Sequence, residues 1–181
     1  MPYVVSGCIK KAFGADPLHT VEAEFYMTDD NNFVLVGMGF RAYKDDMTTM
    51  QLIFARLQDS GEIDQDDLLM ISRGIQPEKP LEAWFQCGNT KEVIVGCGLR
   101  IKSSDVLTMH VHTRKIDTPN GTLIDPYTHR TGREPNWELE ANGIPEQDPD
   151  HTLLRGVGVR CFNDDLTTLV LYFGSLKKTT V

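Results

Sequence analysis

His110-Val111-His112 places two imidazoles at i and i+2, and on a β-strand that spacing sends both to one face. Two imidazoles side by side can reach one metal ion if one or two further ligands arrive from elsewhere, with His129 and His151 as the candidates to supply them. The pair can equally belong to a binding or catalytic pocket shared with residues 117–136. That polar run holds Asn120-Gly121, Asp125-Pro126-Tyr127, His129-Arg130 and Thr131-Gly132-Arg133, and leads to Trp137. Read as a long decorated loop on a rigid scaffold, it adds Tyr127, His129, Arg130, Arg133 and Trp137 to His110 and His112 as candidate ligand-binding residues. Trp84 and Trp137 can stack on sugar rings if exposed, or fill core if not.

Asp45-Asp46, Ser104-Asp105 and Asp164-Asp165 offer oxygens to calcium. Their alternative is turn chemistry, in which the carboxylates accept nearby backbone N–H bonds, and recurrence across the chain favours the turn. No resident cofactor is expected beyond these two metal options. For catalysis no residue stands out: a Gly-x-Ser-x-Gly elbow, a phosphate-binding glycine loop and an HExxH pair are all missing from the sequence. The 26 Asp and Glu residues leave a glycosidase pair open without singling one out.

The elements that must position these residues are written three times. Gly37-Met38-Gly39-Phe40-Arg41 precedes Asp45-Asp46-Met47-Thr48-Thr49-Met50. Gly96-Cys97-Gly98-Leu99-Arg100 precedes Ser104-Asp105-Val106-Leu107-Thr108-Met109, and Gly156-Val157-Gly158-Val159-Arg160 precedes Asp164-Asp165-Leu166-Thr167-Thr168-Leu169. The spacings are 59 and 60 residues, with no gap inside any block. Val21-Glu22-Ala23, Leu81-Glu82-Ala83 and Leu139-Glu140-Ala141 extend the match upstream. Each block alternates with period two. Met50, Leu52 and Phe54, with Met109, Val111 and Thr113 and with Leu169, Leu171 and Phe173, should share one core. Gln51, Ile53, His110, His112, Val170 and Tyr172 should look outward.

The glycines beside Arg41, Arg100 and Arg160 leave space above the sheet for a neighbouring loop or ring. Two further short strands around residues 4–10 and 21–27 bring each unit to about four, while residues 58–80 have room for one short helical turn. The expectation is an all-β, three-fold pseudo-symmetric β-prism of three four-stranded antiparallel sheets. It is a single domain over residues 1–181 with repeats at about 1–60, 61–118 and 119–181.

The block Gly-x-Gly-x-Arg, turn, Asp-Asp-x-Thr-Thr-Leu resembles the repeat of the vitelline membrane outer layer protein family. It is also similar to the C-terminal β-prism domain of bacterial perforin-like proteins of the membrane-attack-complex/perforin superfamily. The resemblance implies a recognition module that attaches to glycans or membrane surfaces. Fold analogy alone carries that function.

Composition narrows the partners. A net charge of −8 with scattered Lys and Arg argues against nucleic acid and against simple docking to anionic lipid. No apolar run is long enough to span a membrane as a helix. Residues 1–7 lack the layout of a signal peptide, so a cytoplasmic location, or release without a recognisable signal, is expected. Cys8, Cys87, Cys97 and Cys161 form no CxxC pair and read as reduced thiols.

The leading expectation is therefore a non-enzymatic module that binds carbohydrate or a membrane-surface component, within a toxin or adhesion system. An enzyme or metal protein at the His110/His112 face is the alternative. A structural protein that self-associates or binds a partner through exposed Ile53, Val170 and Tyr172 is the other.

Overall fold

A computed structural model describes residues 2–28 and 32–179, which form twelve strands and, among the described residues, no helix. They are β1 (Tyr3–Phe13), β2 (Ala23–Tyr26), β3 (Phe33–Tyr43), β4 (Asp46–Leu57), β5 (Ile63–Arg73) and β6 (Ala83–Gln86), followed by β7 (Glu92–Lys102), β8 (Asp105–Asp117), β9 (Thr122–Thr131), β10 (Ala141–Gly143), β11 (Thr152–Phe162) and β12 (Asp165–Lys178).

They build two sheets, one of four strands in the order β5-β4-β3-β6 and one of eight. The larger sheet contains two more quartets with the same internal order, β9-β8-β7-β10 and β1-β12-β11-β2. Asp165 of β12 pairs with Lys102 of β7 and joins them. The sequence repeats and the quartets are out of phase. Both N-terminal strands, β1 and β2, pair with the third hairpin rather than the first. Residues 58–80 hold β5 instead of a helical turn, because Ile63–Arg73 supplies the outer partner that β4 lacks.

The hairpins β3–β4, β7–β8 and β11–β12 carry the recurring blocks. Ser103-Ser104 and Asn163-Asp164 both adopt positive φ (53° and 68°; 53° and 62°), as tight two-residue hairpins require. The three turns touch: Ser104 Oγ accepts from Lys44 N at 2.9 Å and donates to Asp164 Oδ1 at 2.8 Å. All nine residues expected in the shared core are buried. Each buried Leu or Phe contributes about 1.5–3 kcal/mol of transfer free energy.

A bulge follows each turn, at Arg41/Ala42, Arg100/Ile101 and Arg160/Cys161. It takes Thr48, Leu107 and Thr167 out of the ladder and frees their carbonyls. Three straps crossing the outer faces, residues 14–22, 74–82 and 132–140, use those carbonyls. Asp16 N, Gln76 N and Glu134 N donate to Thr167, Thr48 and Leu107 O at 3.1, 3.0 and 2.7 Å. The Thr at the fifth position of each block locks the strap: Thr168, Thr49 and Thr108 Oγ1 donate to Asp16, Gln76 and Glu134 O. Arg160, Arg41 and Arg100 donate to Thr20, Pro80 and Glu138 O.

At the end of each strap the recurring Glu joins two hairpins. Glu82 Oε2 accepts from Ala42 N (3.3 Å) and Val106 N (3.0 Å), Glu140 Oε2 from Ile101 N (3.1 Å) and Leu166 N (3.3 Å), and Glu22 Oε2 from Cys161 N (3.3 Å) and Met47 N (3.1 Å). First hairpin is thus tied to second, second to third, and third to first.

The straps change one expectation. Ile53, Val170 and Tyr172 do face outward, yet all three are buried. Tyr172 stacks on Tyr26 with centroids 4.5 Å apart and donates to Glu24. The chain packs over most of the apolar surface on which self-association was to rest, and little of it reaches solvent. The recurring glycines make room for this cover. A Cβ on Gly39 would lie 2.5 Å from Leu81 Cδ1, and one on Gly98 2.5 Å from Leu139 Cδ1. Cys87, Cys97 and Cys161 are buried thiols, and burial pushes Cys97 up to about 12, so they pack as small apolar groups.

Candidate functional site

Each quartet presents its outer face as rows of four residues running across the strands. In the first quartet the rows are Ser72–Gln51–Gly39–Trp84 and Met70–Ile53–Gly37–Gln86. In the second, Arg130–His110–Gly98–Asn142 forms one row, and Thr128–His112–Gly96 lies beside it. In the third they are Ala12–Val170–Gly158–Glu24 and Lys10–Tyr172–Gly156–Tyr26. The central glycine recurs and the flanking side chains do not.

Residues 117–136 are not a long loop. Thr122–Thr131 is β9, the outer strand of its quartet, matching β5 and β1. Strand pairing then sorts the candidate residues. His110, His112 and Arg130 share the outer face, with Arg133 and Trp137 on the strap above. His129 sits opposite Val111 and therefore on the inner side. There its ring packs on Phe85 at 4.1 Å and its Nε2 meets Glu92 Oε1 at 3.1 Å. Tyr127, 64% exposed at the strand's edge, contacts the His129 ring at 4.8 Å.

The outer-face imidazoles are bonded within the protein. His110 Nε2 lies 3.1 Å from Pro135 O, and so donates to it. His112 Nε2 lies 2.8 Å from Asn142 Oδ1 and Nδ1 2.9 Å from Thr128 Oγ1, which assigns Nε2–H as donor and Nδ1 as acceptor. With both nitrogens engaged, His112 has no lone pair directed at an ion. His151 is remote, paired to Asp148 at 2.7 Å. Among the described residues no group of three His, Cys, Asp or Glu is arranged to hold a metal. Arg133 pairs with Asp105 at 2.5 Å, and the Arg100 guanidinium lies 5.1 Å from the Trp137 ring centroid.

Burial pushes the His112 imidazole below its usual value of 6.5, the Asn142 bond opposes this, and repulsion from His110 adds to it. A histidine whose folded pKa is depressed supplies stability above its unfolded pKa, and that stability is lost as pH falls through the folded pKa. Urea unfolding should therefore show a lower midpoint at about pH 5.5 than at about pH 7.5, and His112→Gln should shrink the difference. An unchanged difference in the variant would remove His112 from the account.

Cavities open on the outer faces. One of about 290 Å³ lies between His112, Tyr127, Thr128 and the apolar Ile144, Pro145 and Pro149. One of about 680 Å³ on the first sheet runs along Gln51, Ser72, Trp84 and Gln86 under the strap residues Glu78 and Lys79. One of about 480 Å³ on the third quartet lies at Lys10, Glu24 and Val170 under Leu18 and His19. Trp84 extends from β6 and is 62% exposed, whereas Trp137 is on the strap and 48% exposed. Neither ring fills core.

The strap frame and Ser72, Gln86, Glu78 and Lys79 were not read from the sequence. A signal was there: Gly14-x-x-Pro17, Gly74-x-x-Pro77 and Gly132-x-x-Pro135 run without a gap into the recurring Glu-Ala.

No protein-family model and no curated protein matches the chain. Among solved structures it is similar to the insecticidal delta-endotoxin Cry8Ea1 of Bacillus thuringiensis, at 11% identity and a TM-score of 0.44. The match covers 86% of this chain and 29% of the toxin, so the chain spans under a third of that protein's length.

Proposed function

We propose that the chain is a single β-prism domain, three quartets about a pseudo-threefold axis, acting as a non-enzymatic recognition module. It binds carbohydrate displayed on a cell or membrane surface, within a toxin or adhesion system. One observation carries this: the three outer faces share a frame of glycines, straps and carbonyl-bound Arg and Thr, yet each frame encloses a different set of side chains. A constant frame with variable lining suits ligand recognition on a rigid scaffold. The grooves mix aromatic, amide, hydroxyl and carboxylate groups, the combination that hydroxyl-rich ligands require. Neither the −8 charge nor the absence of a basic cluster in the sequence favours anionic lipid.

Binding to a broad glycan array, with no co-sedimentation with phosphatidylserine liposomes, is the expected result, and it should be unchanged by calcium chelation. Silence across the array would overturn the carbohydrate reading. Sedimentation with glycan-free liposomes would replace it with a lipid-binding one.

A further inference from the structure

We infer that the groove on the first sheet is the saccharide subsite, that Trp84 is its stacking platform, and that it takes a neutral pyranose. This rests on the carbohydrate reading and adds the site and the class of sugar.

The three outer faces have matching positions, so their contents can be compared directly. In the second quartet, His110 is bonded to Pro135 O on the strap and closes the centre, while the Trp137 ring is engaged by Arg100 at 5.1 Å. In the third, the aromatic positions are spent on each other: Tyr172 stacks on Tyr26 at 4.5 Å and bonds Glu24. In the first, the residue matching Asn142 and Glu24 is Trp84, and most of its surface faces solvent. This quartet also has the largest of the cavities described above, about 680 Å³.

Its geometry suits a sugar ring. Gln86, Gly37, Ile53 and Met70 form one row across four strands, which spans about 14 Å at the usual strand spacing. Ile53 gives an apolar floor, and the Trp84 indole can cover the C–H face of a pyranose. Hydroxyl partners flank it. Gln51 Nε2 donates to Ser72 Oγ at 3.3 Å, a long bond that leaves the amide oxygen and the second N–H of Gln51 for a ligand, and Gln86 adds another amide. Glu78 and Lys79 on the strap bring one charge of each sign. A lining with no net charge, on a protein of net charge −8, selects against sulfated or sialylated sugars.

The chain has two tryptophans, so intrinsic fluorescence reports on the site directly. Wild type, Trp84→Ala and Trp137→Phe would be titrated with neutral oligosaccharides and their sulfated or sialylated counterparts. Circular dichroism would verify the fold of each variant. Trp84→Ala keeps the Cβ that packs beside Gly39, so folding should survive. Expected are a blue shift of wild-type emission with neutral glycans, at least about tenfold weaker binding in Trp84→Ala, and binding within about twofold of wild type in Trp137→Phe. Glycan binding that survives Trp84→Ala, or a preference for the anionic sugars, overturns this site and leaves the carbohydrate reading standing. Failure of wild type to bind any glycan overturns both.

Discussion

Replacing Glu82 by alanine should destabilise the fold by about 2–4 kcal/mol, as two partly buried N–H groups lose their acceptor at once. Glu82 Oε2 receives Ala42 N from the first hairpin and Val106 N from the second, and Glu82 Oε1 lies 3.7 Å from Arg41 Nε. Each N–H sits beside a bulge or turn, where no strand partner can replace the carboxylate. Glu82→Gln keeps an oxygen in the same place and should cost about 1 kcal/mol, the difference between a charged and a neutral acceptor.

The equivalent change at Glu140 should differ. Burial, with Asp165 nearby, raises the Glu140 carboxyl above its usual value, against the bonds from Ile101 and Leu166 and the charge of Arg100. A carboxyl with a raised folded pKa contributes stability that is full below its unfolded pKa and lost as pH rises through the folded one. At neutral pH Glu140 therefore carries an unfavourable charge, and Glu140→Gln should be nearly neutral or stabilising. Urea melts with unchanged m-values would measure both. Equal costs for Gln at the two sites would refute the distinction.

The recurring Glu shows what the sequence makes legible and what it hides. Its repetition was visible in Val21-Glu22-Ala23 and its copies, as were the Gly-x-Gly-x-Arg strands and the nine core residues. Those positions recur because each answers a backbone requirement: a freed N–H, a crossing strap, a shared interior. The partner of each strand was not visible. Adjacency in sequence assigns β1 and β2 to the first hairpin, whereas they complete the third. Period-two alternation likewise says that Ile53, Val170 and Tyr172 face outward, and nothing about whether that face is covered. The bonding of the candidate side chains is hidden for the same reason. His110 and His112 stood out as unusual residues, yet their bonds to Pro135, Thr128 and Asn142 are internal, whereas the plainer Gln51, Ser72 and Gln86 border the more open groove.

Gly74→Ala should be at least as damaging as loss of the Glu82 carboxylate, and it also tests how the groove is held open. Gly74 begins its strap at φ +116°, and an added Cβ would lie 2.3 Å from Thr48 O and 2.8 Å from Met47 O. Both carbonyls are the strap's anchors, accepting Gln76 N at 3.0 Å and Ile75 N at 3.3 Å. The new methyl cannot be accommodated by a side-chain rotation, since the obstructing atoms are backbone. Strain at such a φ costs about 1–3 kcal/mol. Pushing the strap away forfeits two hydrogen bonds worth about 0.5–1.5 kcal/mol each, for a total of about 2–6 kcal/mol. Thermal unfolding should register this as a drop on the order of 10 °C. Gly88 is the control: a Cβ there meets nothing within 4 Å, so Gly88→Ala should stay within about 0.5 kcal/mol of wild type. Because Pro77, Glu78 and Lys79 ride on the displaced strap, folded Gly74→Ala should also bind neutral glycans more weakly although no groove side chain has changed. Wild-type stability in Gly74→Ala would mean that the strap is not fixed by the bulge carbonyls. Full glycan affinity in a destabilised variant would separate the strap from the binding site.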